Sequence, residues 1–311
     1  MALRSESRLE RILHEDGFAV TAEVVPPKGA DASVVREQAQ ALLGYADAVN
    51  ITDNPTSSAH MSSVAGAGLV AESGLEPVVQ ITTRDRNRLA ITADLLGAWA
   101  LGARNVLCLT GDPVAGGDHP QAREVFDLNV LDLVRFVVRL RDEGQLLSGK
   151  SIDAPPKYFV GVADVPLAAD YEPGRLEEKV DAGADFVQTQ IVYDIEALGK
   201  WAERIRPLGI FERAFVLVGV APPRSARSAR FMQDHLPGVV VPDEVIRRLE
   251  QAGEDSQAEG VRLTVEVVRA LKGIEGIAGV HVMGLGREDS VLQVIEAAEL
   301  LPRPALTEAA S

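Results

Sequence analysis

The sequence of 311 residues contains one cysteine, Cys108. A single cysteine excludes an internal disulfide bond and any zinc site built on several thiolates. Cys108 lies between two leucines, so we expect it to pack in the interior and to be unreactive. His119 has no second histidine or glutamate at a metal-ligand spacing, and we therefore assign no metal.

Basic residues are also scarce: 31 lysines and arginines against 46 aspartates and glutamates give a formal net charge of −15. Such an acidic chain is not suited to wrapping a nucleic-acid backbone, which requires a basic surface. It remains compatible with a small anionic ligand, because a few arginines suffice for one local positive pocket. We therefore expect no nucleic-acid partner.

Long apolar runs are missing as well. No stretch approaches the roughly 18 apolar residues that a membrane-spanning helix needs. Residues 1–17 are charged throughout and lack the apolar core of a signal peptide. These absences predict a cytoplasmic protein without a membrane span.

What the sequence does contain is a regular alternation of short apolar runs with segments of helical period. The runs are rich in Val and Ile and mostly lack polar–apolar alternation, which is typical of parallel strands covered on both faces. They occupy residues 18–25, 46–52, 76–82, 104–110, 157–163, 184–192, 214–220 and 278–285. The helical segments between them include 86–101, 128–143, 194–207 and 224–235.

Eight such strands favour a single α/β domain over residues 1–311, folded as a (β/α)8 TIM barrel. An open dinucleotide-binding sheet is disfavoured because no GxGxxG pattern follows the first strand. We interpret residues 236–277 as a helical insertion between strands seven and eight. Residues 300–311 are expected to form a disordered tail, given their prolines and terminal position. A homo-oligomer is expected, but its size is left open because barrel helices serve dimers and tetramers equally well.

Polar side chains gather at the predicted carboxyl ends of the strands, where barrel enzymes carry their chemistry. An unpaired polar group inside an apolar strand costs about 1–3 kcal/mol, so one such residue is easily explained as a structural hydrogen bond. Polar groups at six strand ends instead indicate a binding site. They are Glu23; Thr52, Asp53 and Asn54; Gln80, Thr82 and Arg84; Thr110, Gly111 and Asp112; Gln188 and Gln190; and Arg287.

Two of these carboxylates each have two interpretations. Glu23, between Ala22 and Val24, is either paired with a buried arginine or a general acid that burial helps to keep protonated near neutral pH. Asp112 is either a turn or helix-capping residue in a Gly-Asp-Pro string or part of the site.

Weaker candidates lie in the loops. Arg84 or Arg86 would reach a phosphate, although a solvated helix start explains the same string "TTRDRNR". The pair 116–117 is either a set of backbone amides near a phosphate or a flexible glycine turn. Asp118 and His119 receive no role.

Four motifs resemble one known family. They are "AEVVPP" at 22–27, "LTGD" at 109–112, "KVDAGADFVQTQIVYD" at 179–194 and "VGVAP" at 218–222. Together they resemble the methylenetetrahydrofolate reductases, flavin-dependent (β/α)8 barrels of one-carbon metabolism and methionine biosynthesis. The resemblance runs from about 18 to 298 and looks closest to the short bacterial branch of acetogens.

The resemblance implies a reaction and a role for several residues. Reduced nicotinamide, NAD(P)H, passes a hydride to a flavin, which passes it to the one-carbon unit of 5,10-methylenetetrahydrofolate and gives the 5-methyl product. Ring opening requires a proton on N10, and Glu23 matches the acid that supplies it. Asp112 matches an aspartate beside both flavin and pterin, Gln190 a pterin-binding glutamine, and Arg287 an arginine near the distal half of the substrate.

The implied cofactor is FAD, with FMN as the second choice. Thr52 matches a threonine that contacts the flavin, and Lys179 matches a lysine near its ribityl or phosphate portion. The remaining positions of the implied cofactor site are Gln80, Thr110, Gly111, Asp112 and Ala163.

The sequence departs from the family pattern in several places. Gln80 replaces a histidine, Thr110 replaces an arginine, and the loop 165–172 lacks the usual aromatic residue and histidine. An aromatic residue expected after strand seven is replaced within 222–229. Three alternatives therefore stay open: a weakly held flavin or direct transfer from nicotinamide, a folate- and flavin-binding subunit that takes electrons from a partner protein, and a pterin-binding barrel for methyl transfer.

Overall fold

The computed structural model describes residues 3–286 and 288–305. Its strands pair in parallel, each with the next along the chain, and the last pairs with the first to close an eight-stranded barrel. The predicted (β/α)8 barrel is therefore confirmed. The strands are β1 Ala19–Val24, β2 Ala48–Ile51, β3 Pro77–Thr82, β4 Asn105–Leu109, β5 Phe159–Asp164, β6 Phe186–Ile191, β7 Phe215–Val220 and β8 Ile277–Val282.

Helices surround the barrel and follow the strands in chain order. They are α1 Arg8–His14, α2 Ala32–Leu42, α3 Ser63–Glu72, α4 Arg88–Ala100, α5 Val130–Glu143, α6 Pro173–Asp181, α7 Ile195–Ile205, α8 Ile210–Arg213, α9 Ala226–His235, α10 Asp243–Ala252, α11 Ser256–Leu271 and α12 Glu288–Ala297.

Each strand has an outer face toward the helices and an inner face toward the lumen of the barrel. In β1, Val20, Ala22 and Val24 belong to the core shared with the helices, whereas Ala19 belongs to a separate cluster inside the barrel. Both faces are buried over most of the strand length, which explains why the sequence shows runs rich in Val and Ile. Cys108 is buried in the outer core, and burial raises the pKa of its thiol.

Helix α1 closes the amino-terminal end of the barrel. Its residues Leu9, Ile12 and Leu13 are buried against the innermost apolar layer, which includes Phe159 and Leu217. Ser7 caps the helix by accepting a hydrogen bond from the Glu10 N–H. The floor is therefore packed, and the open end is the carboxyl-terminal one.

Segments near both ends of the described chain come together at the amino-terminal end of the barrel, in a cluster formed by Arg8, Asp47 and Arg303. The fully buried Asp47 carboxylate accepts from Arg8 at 3.1 Å and from Arg303 at 2.5 Å, and also from the Val20 N–H at 2.8 Å. Within the predicted tail 300–311, Arg303 donates to the Leu300 and Phe18 carbonyls at 2.7 Å each. The disorder of this tail stays a prediction. Residues 306–311 lie outside the described part of the chain.

Three helices separate β7 from β8. The stretch 236–277 contains α10 and α11, in agreement with the two helical stretches predicted there. Helix α11 contacts β7, α7 and α12 and so belongs to the outer ring, whereas α10 packs on α9 and α11. The description of 236–277 as an insertion stays a prediction. None of the described helices is long and apolar enough to cross a membrane.

Candidate active site

The closed parallel barrel brings the polar strand ends to one mouth. Glu23, Ala163 and Gln190 each occupy the last position but one of their strand, and Gln80 lies two residues before the end of β3. Thr52 follows β2 directly, and Thr110, Gly111 and Asp112 follow β4. Arg287 lies outside the described residues, so its predicted position is not placed.

Glu23 points into the lumen toward a histidine of β8. Its Oε1 lies 3.7 Å from Nε2 of His281, and the two side chains are 18% and 4% exposed. Among the described residues, His281 is the ionisable side chain within ion-pair range of Glu23. The buried arginine that the sequence suggested as a partner for Glu23 is not found there. Sequence reasoning missed His281, although a histidine inside the apolar run "AGVHVMGL" was a visible signal.

His281 is joined to further buried polar groups deeper in the barrel. Its Nδ1 lies 2.9 Å from Oγ1 of Thr21. Gln188 donates to Thr21 Oγ1 at 3.2 Å, and it exchanges two hydrogen bonds with Asn50 at 2.6 and 3.3 Å. We call Thr21, Asn50, Gln188 and His281 the polar layer. It lies between the apolar floor and Glu23.

Gln190 lies at an irregularity between β6 and β7, where the register shifts between Gln188 and Ile191. The Ile191 N–H donates to the Gln190 side-chain oxygen at 2.9 Å, and the Gly219 N–H donates to Oγ1 of Thr189 at 3.0 Å. Gly219 is needed here, because a Cβ would overlap the Thr189 carbonyl oxygen. Such bulges redirect side chains beside functional sites. This one leaves Gln190 half-buried at the mouth.

Asp112 is exposed and fixes the loop that follows β2. Its Oδ2 accepts from the Thr56 N–H at 2.9 Å, and its backbone oxygen accepts from Ser57 Oγ at 2.7 Å. Thr56 and Ser57 adopt φ values of 52° and 57°, which cost free energy in non-glycine residues and are often found at functional sites. Asp112 does not cap the short 3₁₀ turn Val114–Gly116, whose capping position is Pro113.

The two arginines considered as phosphate ligands are both engaged by the protein. Arg84 is 1% exposed and donates to Asp85 at 2.6 Å and to the Asp112 carbonyl at 2.9 Å. Arg86 pairs with Asp53 and Asp94 at 2.6 Å each. Burial acts to lower the pKa of Arg86, and these two bonds outweigh it and raise that pKa. Both side chains therefore brace the mouth.

Lys179 extends from α6 to the carboxyl end of β5. Its Nζ donates to the Ala163 carbonyl at 2.7 Å. Burial lowers the pKa of Lys179 against the opposing attraction of Asp164. Burial likewise raises the pKa of Asp164, although Lys179 and the Tyr171 hydroxyl oppose it. The half-buried lysine thus lies in the wall of the mouth, where it attracts the Asp164 carboxylate.

Asp118, which had no role in the sequence analysis, braces the same loop. Its carboxylate accepts from the Ala59 N–H at 3.1 Å, and this bond lowers the pKa of Asp118. His119 lies 4.0 Å from it and is largely exposed. In the described residues no group of three or more His, Cys, Asp or Glu side chains is placed to hold a metal.

The flavin that the resemblance implies is compatible with the residues at β2 and β4. Oγ1 of Thr52 is buried without a partner in the structure, so a polar atom of a bound ring system can satisfy it. Gly111, with φ +94°, brings the backbone close to Arg84, where a Cβ would lie 3.0 Å from the Arg84 Cβ.

The sequence matches the family of methylenetetrahydrofolate reductases over residues 8–299. Methylenetetrahydrofolate reductase 1 of Schizosaccharomyces pombe is 28% identical over 239 residues, which cover 73% of this chain and 36% of that protein. The 5,10-methylenetetrahydrofolate reductase of Salmonella typhimurium is 23% identical over 225 residues, which cover 71% of this chain and 70% of that protein.

A solved structure from Clostridium thermocellum, described as an uncharacterized protein that binds two copies of 5-methyl-5,6,7,8-tetrahydrofolic acid, superposes with a TM-score of 0.65. It is 15% identical, and the match covers 94% of this chain and 99% of that one, which shows a shared fold. The chain spans about a third of the length of the fungal relatives, 36% in each of two cases. Since the family match extends over nearly all of the chain, the predicted resemblance is confirmed, and the chain belongs to the methylenetetrahydrofolate reductase family.

Proposed function

We propose that this protein reduces 5,10-methylenetetrahydrofolate to 5-methyltetrahydrofolate, with Glu23 as the general acid. The observation that carries the proposal is the position of Glu23, a carboxyl group at the mouth of a barrel whose sequence belongs to this family. A polar layer supports it from below, and the mouth above it is lined by polar strand ends.

The acid is needed because the substrate is a stable cyclic aminal. Glu23 donates its proton to N10, the bond from the one-carbon unit to N10 breaks with its electrons going to N10, and the N5 lone pair forms an iminium. Hydride addition to the iminium carbon then gives the methyl group. Proton transfer by a positioned side chain contributes about 10²- to 10⁴-fold to such reactions.

Gln190 and Asp112 orient the pterin in this proposal. Gln190 presents an amide at the rim, where a redirected strand holds it, and Asp112 carries a carboxylate held by the Thr56 N–H. An amide and a carboxylate together match the donors and acceptors along a pterin edge. Arg287 is proposed to meet the distal, anionic half of the substrate.

We propose FAD as the bound cofactor, with FMN as the second choice, and NADH or NADPH as the electron donor. The flavin supplies the hydride, which it receives from the nicotinamide. Thr52, Gln80, Thr110, Gly111 and Asp112 would hold its ring system, and Ala163 and Lys179 lie on the β5 side of the same mouth. The buried and unpartnered Thr52 hydroxyl is the feature that favours a bound ring.

The test uses the purified full chain. A yellow protein that releases a flavin and oxidises NADH or NADPH with methylenetetrahydrofolate as acceptor supports the proposal. If the flavin-loaded protein oxidises neither NADH nor NADPH, with this acceptor or with menadione, the proposed nicotinamide-dependent reductase is wrong, and the result favours a subunit that takes electrons from a partner protein. The cytoplasmic location and the homo-oligomer stay predictions, which fractionation and light scattering would check.

A further inference from the structure

The polar layer beneath Glu23 fills a part of the barrel interior where branched apolar side chains usually dominate. Thr21 and Asn50 are fully buried, and Gln188 and His281 are each 3% exposed. The layer below them consists of apolar side chains such as Phe159 and Leu217. Buried polar groups are retained where they are fully paired, and a paired network holds its members in one arrangement.

The hydrogen bonds that lead from Gln188 through Thr21 to His281 run in one direction. Gln188 Nε2 has two hydrogens, of which one goes to Asn50 Oδ1 and the other to Thr21 Oγ1. Thr21 Oγ1 therefore acts as an acceptor toward Gln188, and its own single proton is left for another partner. That proton goes to His281 Nδ1 at 2.9 Å, since the alternative acceptor, the Val280 carbonyl, lies at the limiting distance of 3.5 Å.

The direction of the bonds fixes the tautomer of the histidine. If Nδ1 accepts from Thr21, the ring proton of neutral His281 resides on Nε2. Nε2 is the atom that faces Glu23 Oε1 at 3.7 Å. The polar layer thus directs the Nε2–H of His281 toward Oε1 of Glu23. The separation is longer than a hydrogen bond, and such contacts often shorten when substrate binds.

From this geometry we infer that His281 is a positioning residue for Glu23, held in its Nε2–H tautomer by Thr21 and Gln188. The inference rests on the proposed function. The Nε2–H holds Oε1 of Glu23 within the lumen and leaves the other carboxyl oxygen for N10 of the folate. When the proton has moved from Glu23 to N10, the same N–H stabilises the carboxylate that remains.

The groups that face Glu23 determine how the rate should depend on pH. In the described chain, His281 of β8 is the titratable group within ion-pair range of Glu23. The other polar neighbours are neutral. They are Asn50 of β2, which is in register with Glu23, Gln188 of β6, and Thr21 of the same strand as Glu23. Removal of the N–H therefore leaves the Glu23 carboxylate that forms after proton transfer without this donor.

Two substitutions separate the two ring nitrogens. His281→Gln places an amide near the Nε2 position, and His281→Asn places one near the Nδ1 position. We expect His281→Asn to lower kcat for folate reduction by about 10- to 100-fold, as a displaced catalytic group does. The alkaline limb of its pH–rate profile should move to higher pH, because the carboxylate of Glu23 loses a hydrogen-bond donor. His281→Gln should lose less rate and keep the alkaline limb nearer to its original pH. His235→Asn, on the exposed face of α9, is the matched control.

The tautomer itself can be read without any turnover. In ¹⁵N-histidine-labelled protein, the His281 signals should show a protonated Nε2 and an unprotonated Nδ1. Thr21→Val should mix the tautomers and lower the rate of folate reduction. A protonated Nδ1 in the wild type, or equal rates and pH profiles for His281→Asn and His281→Gln, would overturn the inference. If the wild type does not reduce methylenetetrahydrofolate, the proposed function fails, and the ¹⁵N spectra still decide whether the layer fixes the tautomer.

Discussion

The two ends of the barrel use similar charged residues in opposite ways. At the amino-terminal end, Asp47 is bonded by two arginines and a backbone N–H, and Asp185 is bonded by Arg141 and Arg4. At the carboxyl-terminal end, Glu23 has one neighbour at 3.7 Å, and the Thr52 hydroxyl has no partner. The carboxylates of the first end are paired within the protein, whereas Glu23 at the second end has no close ion-pair or hydrogen-bond partner among the described residues.

Cavity size does not reveal this difference. A cavity of about 1140 Å³ lies at the amino-terminal end, lined by Arg8, Glu76 and Leu301 among others. The Glu76 carboxylate there already accepts from the Leu9 N–H and from Asn105. The position of Glu23 and of the unpartnered Thr52 hydroxyl at the carboxyl ends of β1 and β2 is the better guide to a site. The amino end should govern stability, and the carboxyl end should govern turnover.

The largest expected effect is on turnover. Glu23→Gln keeps the shape of the side chain but removes the acid, so folate reduction should fall by about 10²- to 10⁴-fold. Oxidation of NAD(P)H with menadione should persist, because that half-reaction needs no proton on N10. Stopped-flow measurement of both half-reactions checks this, with the exposed Glu254→Gln as control. Equal loss of both would make Glu23 a structural residue.

At the opposite end, Asp47→Ala should act on stability. The substitution leaves the buried Arg303 and part of Arg8 without a counter-charge, and removal of one partner of such a cluster costs about 3–5 kcal/mol. Urea unfolding measures the loss, and kcat of the protein that remains folded should be unchanged. Asp255→Ala, at an exposed position, should shift stability by less than about 0.5 kcal/mol. A small loss of unfolding free energy in Asp47→Ala would contradict the idea that the amino-terminal end governs stability.

A substitution at Gly219 should affect both stability and substrate binding. Gly219→Ala places a methyl group against the Thr189 carbonyl and should cost about 1–3 kcal/mol through overpacking. It also disturbs the irregular segment that carries Gln190, so KM for the folate should rise. Gly199→Ala, in α7 with no atom within 4 Å of the added Cβ, should instead stabilise the helix by about 0.5–1 kcal/mol. Unchanged KM in Gly219→Ala would argue against Gln190 as a pterin ligand.

The smallest effect concerns pH. Burial raises the pKa of Asp164 above its ordinary value of 3.8, so the folded state binds that proton more tightly than the unfolded state does. The stability from this group is fully present below the unfolded value and is lost as the pH rises through the folded value. Asp164→Asn should remove this slope, which urea unfolding at several pH values would show. An identical slope in wild type and variant would rule out Asp164 as its source.

The sequence was sufficient for the barrel architecture, whereas the site at its mouth stays a prediction. The strands were predictable because burial on both faces selects uninterrupted Val and Ile, and Glu23 stood out as a charge inside such a run. The pairing of Asp47 with Arg303 was not predictable, since the two residues are far apart in the chain and nothing local marks either one. Arg84 and Arg86 looked available for a phosphate because local pattern does not show that Asp85 and Asp53 already bind them.

Helix α1 determines the route by which Glu23 is reprotonated in the proposed reaction. Leu9, Ile12 and Leu13 fill the amino-terminal end of the lumen, so solvent protons reach Glu23 through the mouth. In the function that we propose, a folate seated at the mouth covers that route. Glu23 would then carry one proton for each substrate and would be reprotonated after the product has left.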